Sequence, residues 1–198
     1  MKEHDPFADK EVFENETFTD LDLQDYTIAD KDFYRCSFRN AKLGMTRWPS
    51  VTMEGCVFDD CDLVRMVPTR MALRGVEFRR CRLMGVDWSN AARNPEVTFV
   101  DCNLRYASFV GTNLRKTEFT RCALTDGNFI DVELNEAVVE SCDLSGTTFS
   151  RCDLSKADFS TASGLLIDPT KNRVKGLIIP VDAAVALALI AGMKVAGY

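Results

Sequence analysis

An apolar residue returns at every fifth position along most of this 198-residue chain. That period belongs neither to a helix, which repeats at 3.6 residues, nor to a flat strand, which repeats at two. Between Arg121 and Phe159 the repeating centres are Leu124, Phe129, Leu134, Val139, Leu144, Phe149, Leu154 and Phe159. Two positions before each stands a small residue: Cys122, Gly127, Val132, Ala137, Cys142, Thr147, Cys152 and Ala157. The remaining positions are mostly polar. Self-similarity at a fixed short period is the signature of a solenoid, in which each unit buries its apolar face only by stacking on its neighbours.

The period continues backwards through Phe119, Leu114, Phe109, Leu104 and Phe99. It then resumes one residue out of step at Trp88 and runs back to Phe13. The interval from Trp88 to Phe99 is two fives plus one, which places a single inserted residue within residues 91–96. Every fourth centre is alike: Phe18, Phe38, Phe58, Phe78, Phe99, Phe119, Val139 and Phe159 form one column, and Leu23, Leu43, Leu63, Leu83, Leu104, Leu124 and Leu144 another. A twenty-residue super-period of this kind predicts a square coil of four pentapeptides, with like residues stacked at the inter-strand spacing of ~4.8 Å. The columns stay pure across the slip only if one residue is inserted, which checks the register.

These units resemble the A(D/N)LXX-type repeats of the pentapeptide-repeat family. The resemblance covers Phe13 to Thr161 and implies an all-β solenoid, a right-handed quadrilateral β-helix. The expected organisation is a charged lead-in over residues 1–12, the β-helix over 13–161, and a small C-terminal module over 162–198.

Charge is distributed unevenly. Residues 1–32 hold 11 acidic and 3 basic side chains, residues 33–100 hold 7 and 11, and residues 101–160 hold 10 and 6. The chain is therefore acidic, then mildly basic through Arg65, Arg70, Arg74, Arg79, Arg80 and Arg82, then acidic again. A formal net charge of −6 argues against nucleic acid as a direct partner. No apolar stretch approaches the ~20 residues that span a bilayer, and the first residues lack a signal-peptide core. The expected location is cytoplasmic, with no membrane contact.

Eight cysteines invite a disulfide or metal reading, yet Cys36, Cys56, Cys61, Cys81, Cys102, Cys122, Cys142 and Cys152 all fall in the small slot two before a centre. That slot points inward, where a free thiol behaves as a small apolar group. None is spaced C-x-x-C, and His4 is the only histidine. No metal, no cofactor and no catalytic constellation is expected, so the chain is read as a non-enzyme.

Irregular residues share one column: Arg47-Trp48-Pro49, Met66-Val67-Pro68 and Val86-Asp87-Trp88, with residues 91–96 following at once. Proline cannot donate to a ladder and marks bulges or edges. This segment is either a partner-contacting bump carrying Arg93, Asn94 and Glu96 or a packing accommodation for two indoles. Beyond Thr161 the period ends. Residues 165–167 and 174–179 suggest two short strands around an Asp168-Pro169 turn, followed by a helix over 183–195 with Gly197 near its end. That helix is apolar nearly all round and needs cover on more than one side. Ile178, Ile179, Val185, Leu187, Leu189, Ile190 and Met193 are expected to form a two-fold homodimer interface.

With this C-terminal module, the chain resembles the topoisomerase-poison-resistance branch of the family. Trp48-Pro49-Ser50-Val51-Thr52-Met53-Glu54-Gly55 and Met84-Gly85-Val86-Asp87-Trp88 carry the likeness. The resemblance implies a dimer that binds DNA gyrase, with topoisomerase IV as a related partner, and protects it from quinolones or albicidin-type toxins by imitating duplex DNA. Its rod of ~7.5 coils would measure ~36 Å. Asp126, Asp131, Glu133, Glu136, Glu140 and Asp143 are the expected acidic contact surface. The basic middle is the wrong sign for such a mimic, and a general interaction scaffold is the competing reading.

Overall fold

Each pentapeptide becomes one wall of a square coil because its centre points inward and the residue two places later turns the corner. In a computed structural model, which describes residues 6–197, those corner residues adopt left-handed backbone conformations even where they are not glycine. Asp20, Arg35, Met45, Tyr106, Lys116 and Arg151, among others, have φ between 50° and 63°. An L-residue pays roughly 1–2 kcal/mol for that conformation. The strain persists because each corner N–H is bonded to the next coil, as in Asp20 N–H to Arg39 C=O at 3.0 Å and Asp126 N–H to Ser145 C=O at 2.9 Å.

Stacked coils make a parallel β-solenoid. Its Phe wall is a seven-stranded parallel sheet running from Thr17–Thr19 to Val138–Glu140. Phe18 pairs with Phe38, Phe38 with Phe58, Phe58 with Phe78, Phe78 with Phe99, Phe99 with Phe119 and Phe119 with Val139. Only the step from Phe78 to Phe99 is one residue longer than twenty, as the slip in period requires. The rings stack face to face with centroids 4.6–5.3 Å apart. The fourth wall begins as a four-stranded sheet, Val12–Glu14, Asp32–Tyr34, Thr52–Glu54 and Ala72–Arg74.

All eight cysteines are free and buried. Each thiol donates to the carbonyl of a centre on the preceding coil: Cys61 to Phe38 at 3.4 Å, Cys81 to Phe58 at 3.4 Å, Cys102 to Phe78 at 3.3 Å and Cys152 to Phe129 at 3.1 Å. Burial pushes the Cys56 thiol up to about 11 and raises Cys36 and Cys152 in the same direction. A buried, protonated thiol is a poor nucleophile.

The two indoles of the third wall differ in one atom's fate. Trp48 donates its Nε1–H to Thr46 Oγ1 at 2.8 Å, and that hydroxyl donates to Leu43 C=O at 2.6 Å. Two residues before Trp88 stands Val86, and the buried Trp88 Nε1 has no hydrogen-bond partner.

Both ends depart from expectation. At the N-terminus, within the described part of the lead-in, Phe7 is buried edge-on against Phe13, Phe18 and Phe33 and closes the first coil. The exposed rings of an open end need such a cover. His4 lies outside the described residues. At the C-terminus the expected strand pair does not form. Residues 165–179 instead continue the coil, with parallel bridges Asp153–Arg173 and Asp158–Ile178 still twenty apart. The phase explains this, because Val174 and Ile179 fall twenty residues after Leu154 and Phe159.

The helix spans Val181–Ile190 rather than 183–195. Its stop is Gly192, at φ 80°, with Met193 N–H bonded to Ala188 C=O and Gly192 N–H to Leu189 C=O. That is the Schellman arrangement, which a glycine in the left-handed region closes.

Two outcomes are expected. Thr46→Val should destabilise the fold by roughly 1–3 kcal/mol in urea unfolding, and Val86→Thr should gain roughly 0.5–1.5 kcal/mol by giving Trp88 an acceptor. Equal effects of the two substitutions would contradict this assignment. A disulfide reagent such as DTNB should modify none of the eight thiols in the folded protein and all of them after denaturation; reaction in the folded state would contradict the burial argument.

Candidate protein-interaction surface

The single interruption of the repeat has a local cause. Pro68 is a buried centre of the third wall, one coil below Trp88, and has no N–H for the coil above. Bridges join Arg47 to Val67 and Asp87 to Ser108, but none joins Val67 to Asp87. Relieved of that rung, the chain makes a short 3-10 turn at Trp88–Asn90. Asp87 accepts from Ser89 N–H at 3.0 Å and from Asn90 Nδ2 at 3.1 Å.

Residues 91–96 then cross the fourth wall as a loop where a strand would otherwise follow Ala72–Arg74. The loop is pinned from both sides. Ala92 N–H bonds Met71 C=O at 3.0 Å, Glu96 N–H bonds Leu73 C=O at 2.9 Å, and Arg93 C=O accepts from Asn113 N–H at 2.9 Å. Pro95 is buried, while Arg93, Asn94 and Glu96 are exposed. Asn94 and Glu96 border a surface groove of about 470 Å³, shared with Asn113, Arg115 and Lys116. The three residues expected to form a bump are thus gathered on one wall, held by backbone bonds with their side chains outward.

The six expected acidic residues are not gathered. Asp126, Asp131 and Glu136 occupy successive corners, all at positive φ, so each points off a different edge of the rod. Glu133 lies on the fourth wall, Glu140 on the Phe wall and Asp143 on the Leu wall. The reason is arithmetic: residues that are near in sequence are spread around a coil, and only a spacing of twenty aligns them.

Several of these charges are also answered across coils. Arg151 holds Asp131 with two bonds of 2.7 Å, and Arg115 bonds Glu136 at 2.9 Å. These arginines keep both carboxyls below the usual range. Among the described residues, Asp126, Glu133 and Glu140 have no ion pair within 4 Å, and Asp143 accepts from Ser145.

The same inter-coil pairing runs through the basic middle. Arg80 bonds Asp59 and Asp60, Arg82 bonds Asp62 at 2.9 Å, and Arg121 holds Asp101 at 2.7 Å and 2.8 Å. Arg79 is paired with Glu77 on its own coil. Arg65 and Arg74 have no carboxylate within 4 Å among the described residues, and Arg70 donates instead to Ser50 Oγ on the preceding coil at 3.1 Å. Part of the charge in each region is therefore answered by a neighbouring coil, while acids such as Asp25, Asp30 and Asp32 have no ion pair among the described residues.

At the C-terminal end the apolar residues divide. Ile179 and Leu187 line a crevice of about 140 Å³ between the helix and the last coil, together with Leu165, Ile167, Val174 and Ala183. Val185 is half-buried. Ile178, Leu189, Ile190 and Met193 face outward, Ile190 at 68% exposure. Sequence reasoning passed over Leu166 and Val181, which are exposed beside them. A signal for Leu166 was available, since it falls twenty residues after Gly146 and forty after Asp126, in phase with the corner column.

Comparison with known proteins places the chain. Residues 31–109 match the pentapeptide repeat region family, and residues 98–135 and 133–163 match pentapeptide repeats (8 copies). A search of curated proteins finds no match. Among solved structures, a trypsin-treated variant of QnrB1, a plasmid-mediated fluoroquinolone resistance protein, is 24% identical with a TM-score of 0.52. The match covers 94% of this chain and 92% of that one. HetL, a pentapeptide repeat protein involved in heterocyst differentiation regulation from the cyanobacterium Nostoc sp. strain PCC 7120, is 15% identical with a TM-score of 0.56. That match covers 87% of this chain and 90% of the other. At these identities the likeness is one of fold. With matches running from residue 31 to residue 163 and a twenty-residue register along the rod, this chain belongs to the pentapeptide-repeat family.

Proposed function

We propose that this chain is a non-enzymatic cytoplasmic protein that binds DNA gyrase, and topoisomerase IV where present, and protects it from a quinolone or natural-product poison. The observation that carries the reading is a smooth rod interrupted once, by a pinned loop presenting Arg93, Asn94 and Glu96. A solenoid offers a partner shape along its length, and specificity then falls to the place where the repeat breaks. QnrB1, with which the chain shares its fold, is a fluoroquinolone resistance protein.

Charge supports mimicry of duplex DNA only through a few points. Duplex DNA carries a charge every ~1.7 Å of its axis. Here Asp131 and Glu136 are neutralised, leaving Asp126, Glu133, Glu140 and Asp143 as open carboxylates on different sides. The reading therefore rests on the width and length of the rod, with the loop as the specific contact.

A homodimer is part of the proposal. The outward set Ile178, Leu189, Ile190 and Met193, with Leu166 and Val181, is an apolar end that a second copy would cover, nearly doubling the rod. A second reading, a regulatory scaffold unrelated to topoisomerases, draws on the similar coil of HetL and on the scatter of the open carboxylates around the rod.

The deciding experiment is a gyrase supercoiling and cleavage assay with the purified chain, with and without a fluoroquinolone or albicidin-like poison. Rescue of supercoiling and fewer cleaved complexes are expected. Arg93→Ala with Asn94→Ala should lose roughly tenfold or more in protective potency, about 1.4 kcal/mol or more of binding, while the β-sheet spectrum is unchanged. No effect on gyrase or topoisomerase IV would leave the scaffold reading. Leu189→Asp should convert a dimer into a monomer by light scattering; an unchanged dimer would remove the helix from the interface.

A further inference from the structure

The Leu wall carries an apolar trough that neither the loop nor the helix accounts for. After Leu43, Leu63, Leu83 and Leu104, the outward and corner residues are Gly44-Met45, Val64-Arg65, Met84-Gly85 and Arg105-Tyr106. Met45 is 41% and Tyr106 53% exposed, with Val64 and Met84 half-buried between them. These are mid-rod residues, so no end cap explains them. Together with Gln24 and Arg65 they border a depression of about 480 Å³. The Arg65 stem runs along Gly85, where a Cβ would meet Arg65 Cγ in ordinary contact at 3.6 Å.

The charge around the trough is ordered. Asp22 and Asp62 are answered by Lys42 at 3.1 Å and Arg82 at 2.9 Å. Arg65 and Arg105 have no carboxylate within 4 Å among the described residues, and the Arg105 guanidinium lies 5.7 Å from the Tyr106 ring. Asp25 and Asp126 stand at the two ends of the corner column that holds Met45, Arg65, Gly85 and Tyr106. Unpaired positive charge in the strip is thus carried by Arg65 at its middle and by Arg105 at its Tyr106 end. From Gln24 to Tyr106 the strip crosses four inter-coil steps, ~19 Å, the length of about six residues of extended chain.

We propose that this trough binds a short extended peptide segment of another protein, with large apolar side chains flanking a central carboxylate. Apolar contacts would supply affinity, and Arg65 would select the acid through a charge-assisted hydrogen bond. The site is separate from the loop on the fourth wall and does not depend on the topoisomerase reading.

The test is selection of random displayed peptides on the full chain, followed by fluorescence anisotropy with the best synthetic peptide. Enriched peptides are expected to combine Asp or Glu with Leu, Met, Phe or Trp. Met84→Lys and Tyr106→Ser should each weaken binding roughly tenfold, as should Arg65→Glu, whereas Arg93→Ala should leave it unchanged. Unchanged circular dichroism confirms that each variant folds, and Met45→Lys replaces any that does not. No enrichment, enrichment of basic peptides, or full binding by the trough variants would overturn the proposal. So would a change in sedimentation of the free chain on Met84→Lys, which would make a second copy the occupant.

Discussion

The rest of the molecule depends on hydrogen bonds between the backbones of successive coils. Among the described residues they hold all but one of twenty-two non-glycine corners in the left-handed region, a conformation no isolated segment would keep. Once the corners are fixed, the walls are flat, like residues stack on like, and the interior becomes a pile of phenyl and isobutyl groups with thiols filling the narrow slots. No local element here is stable alone, since three-residue strands bury nothing until the next coil arrives. Stability is then a sum over neighbouring coils, and both ends must be covered. Phe7 covers one end and the Val181–Ile190 helix the other.

This dependence explains what was legible in the sequence. The period, the column register and the one-residue slip were readable because every coil repeats the same physical demand. The bridges of residues 173 and 178 were readable too, in the phase of Val174 and Ile179. They were obscured because Gly164 takes a Leu-column position and Pro169 falls on the third wall, twenty residues after Phe149. The helix end was misplaced because Gly192 and Gly197 both suit a C-terminal cap, and only the bonds of Met193 and Gly192 to the last turn choose between them. The burial of Phe7 had no periodic signal at all.

The acidic surface illustrates a different limit. Listing Asp126, Asp131, Glu133, Glu136, Glu140 and Asp143 by nearness in sequence is natural for a helix or a loop. In a square coil it scatters them over all four sides. Spacing by twenty, by contrast, finds the pairs that form: Asp101 with Arg121, Asp131 with Arg151, Asp62 with Arg82. In each the acid lies on the earlier coil. Such exposed pairs contribute little stability individually, but they take both partners out of any charged contact surface. What remains to distinguish one side from another is where the pattern is broken: the loop after Trp88, the trough beside Tyr106 and the apolar end.

The central claim is that partner recognition resides in those departures and not in the regular walls. Hydrogen–deuterium exchange of the chain, alone and with excess purified gyrase, reads this residue by residue, because contact slows exchange of exposed amides while ladder amides are already protected. The account predicts slowed exchange within residues 88–97, with little change along the Phe wall. Uniform profiles with and without gyrase, or protection confined to the regular walls, would contradict it.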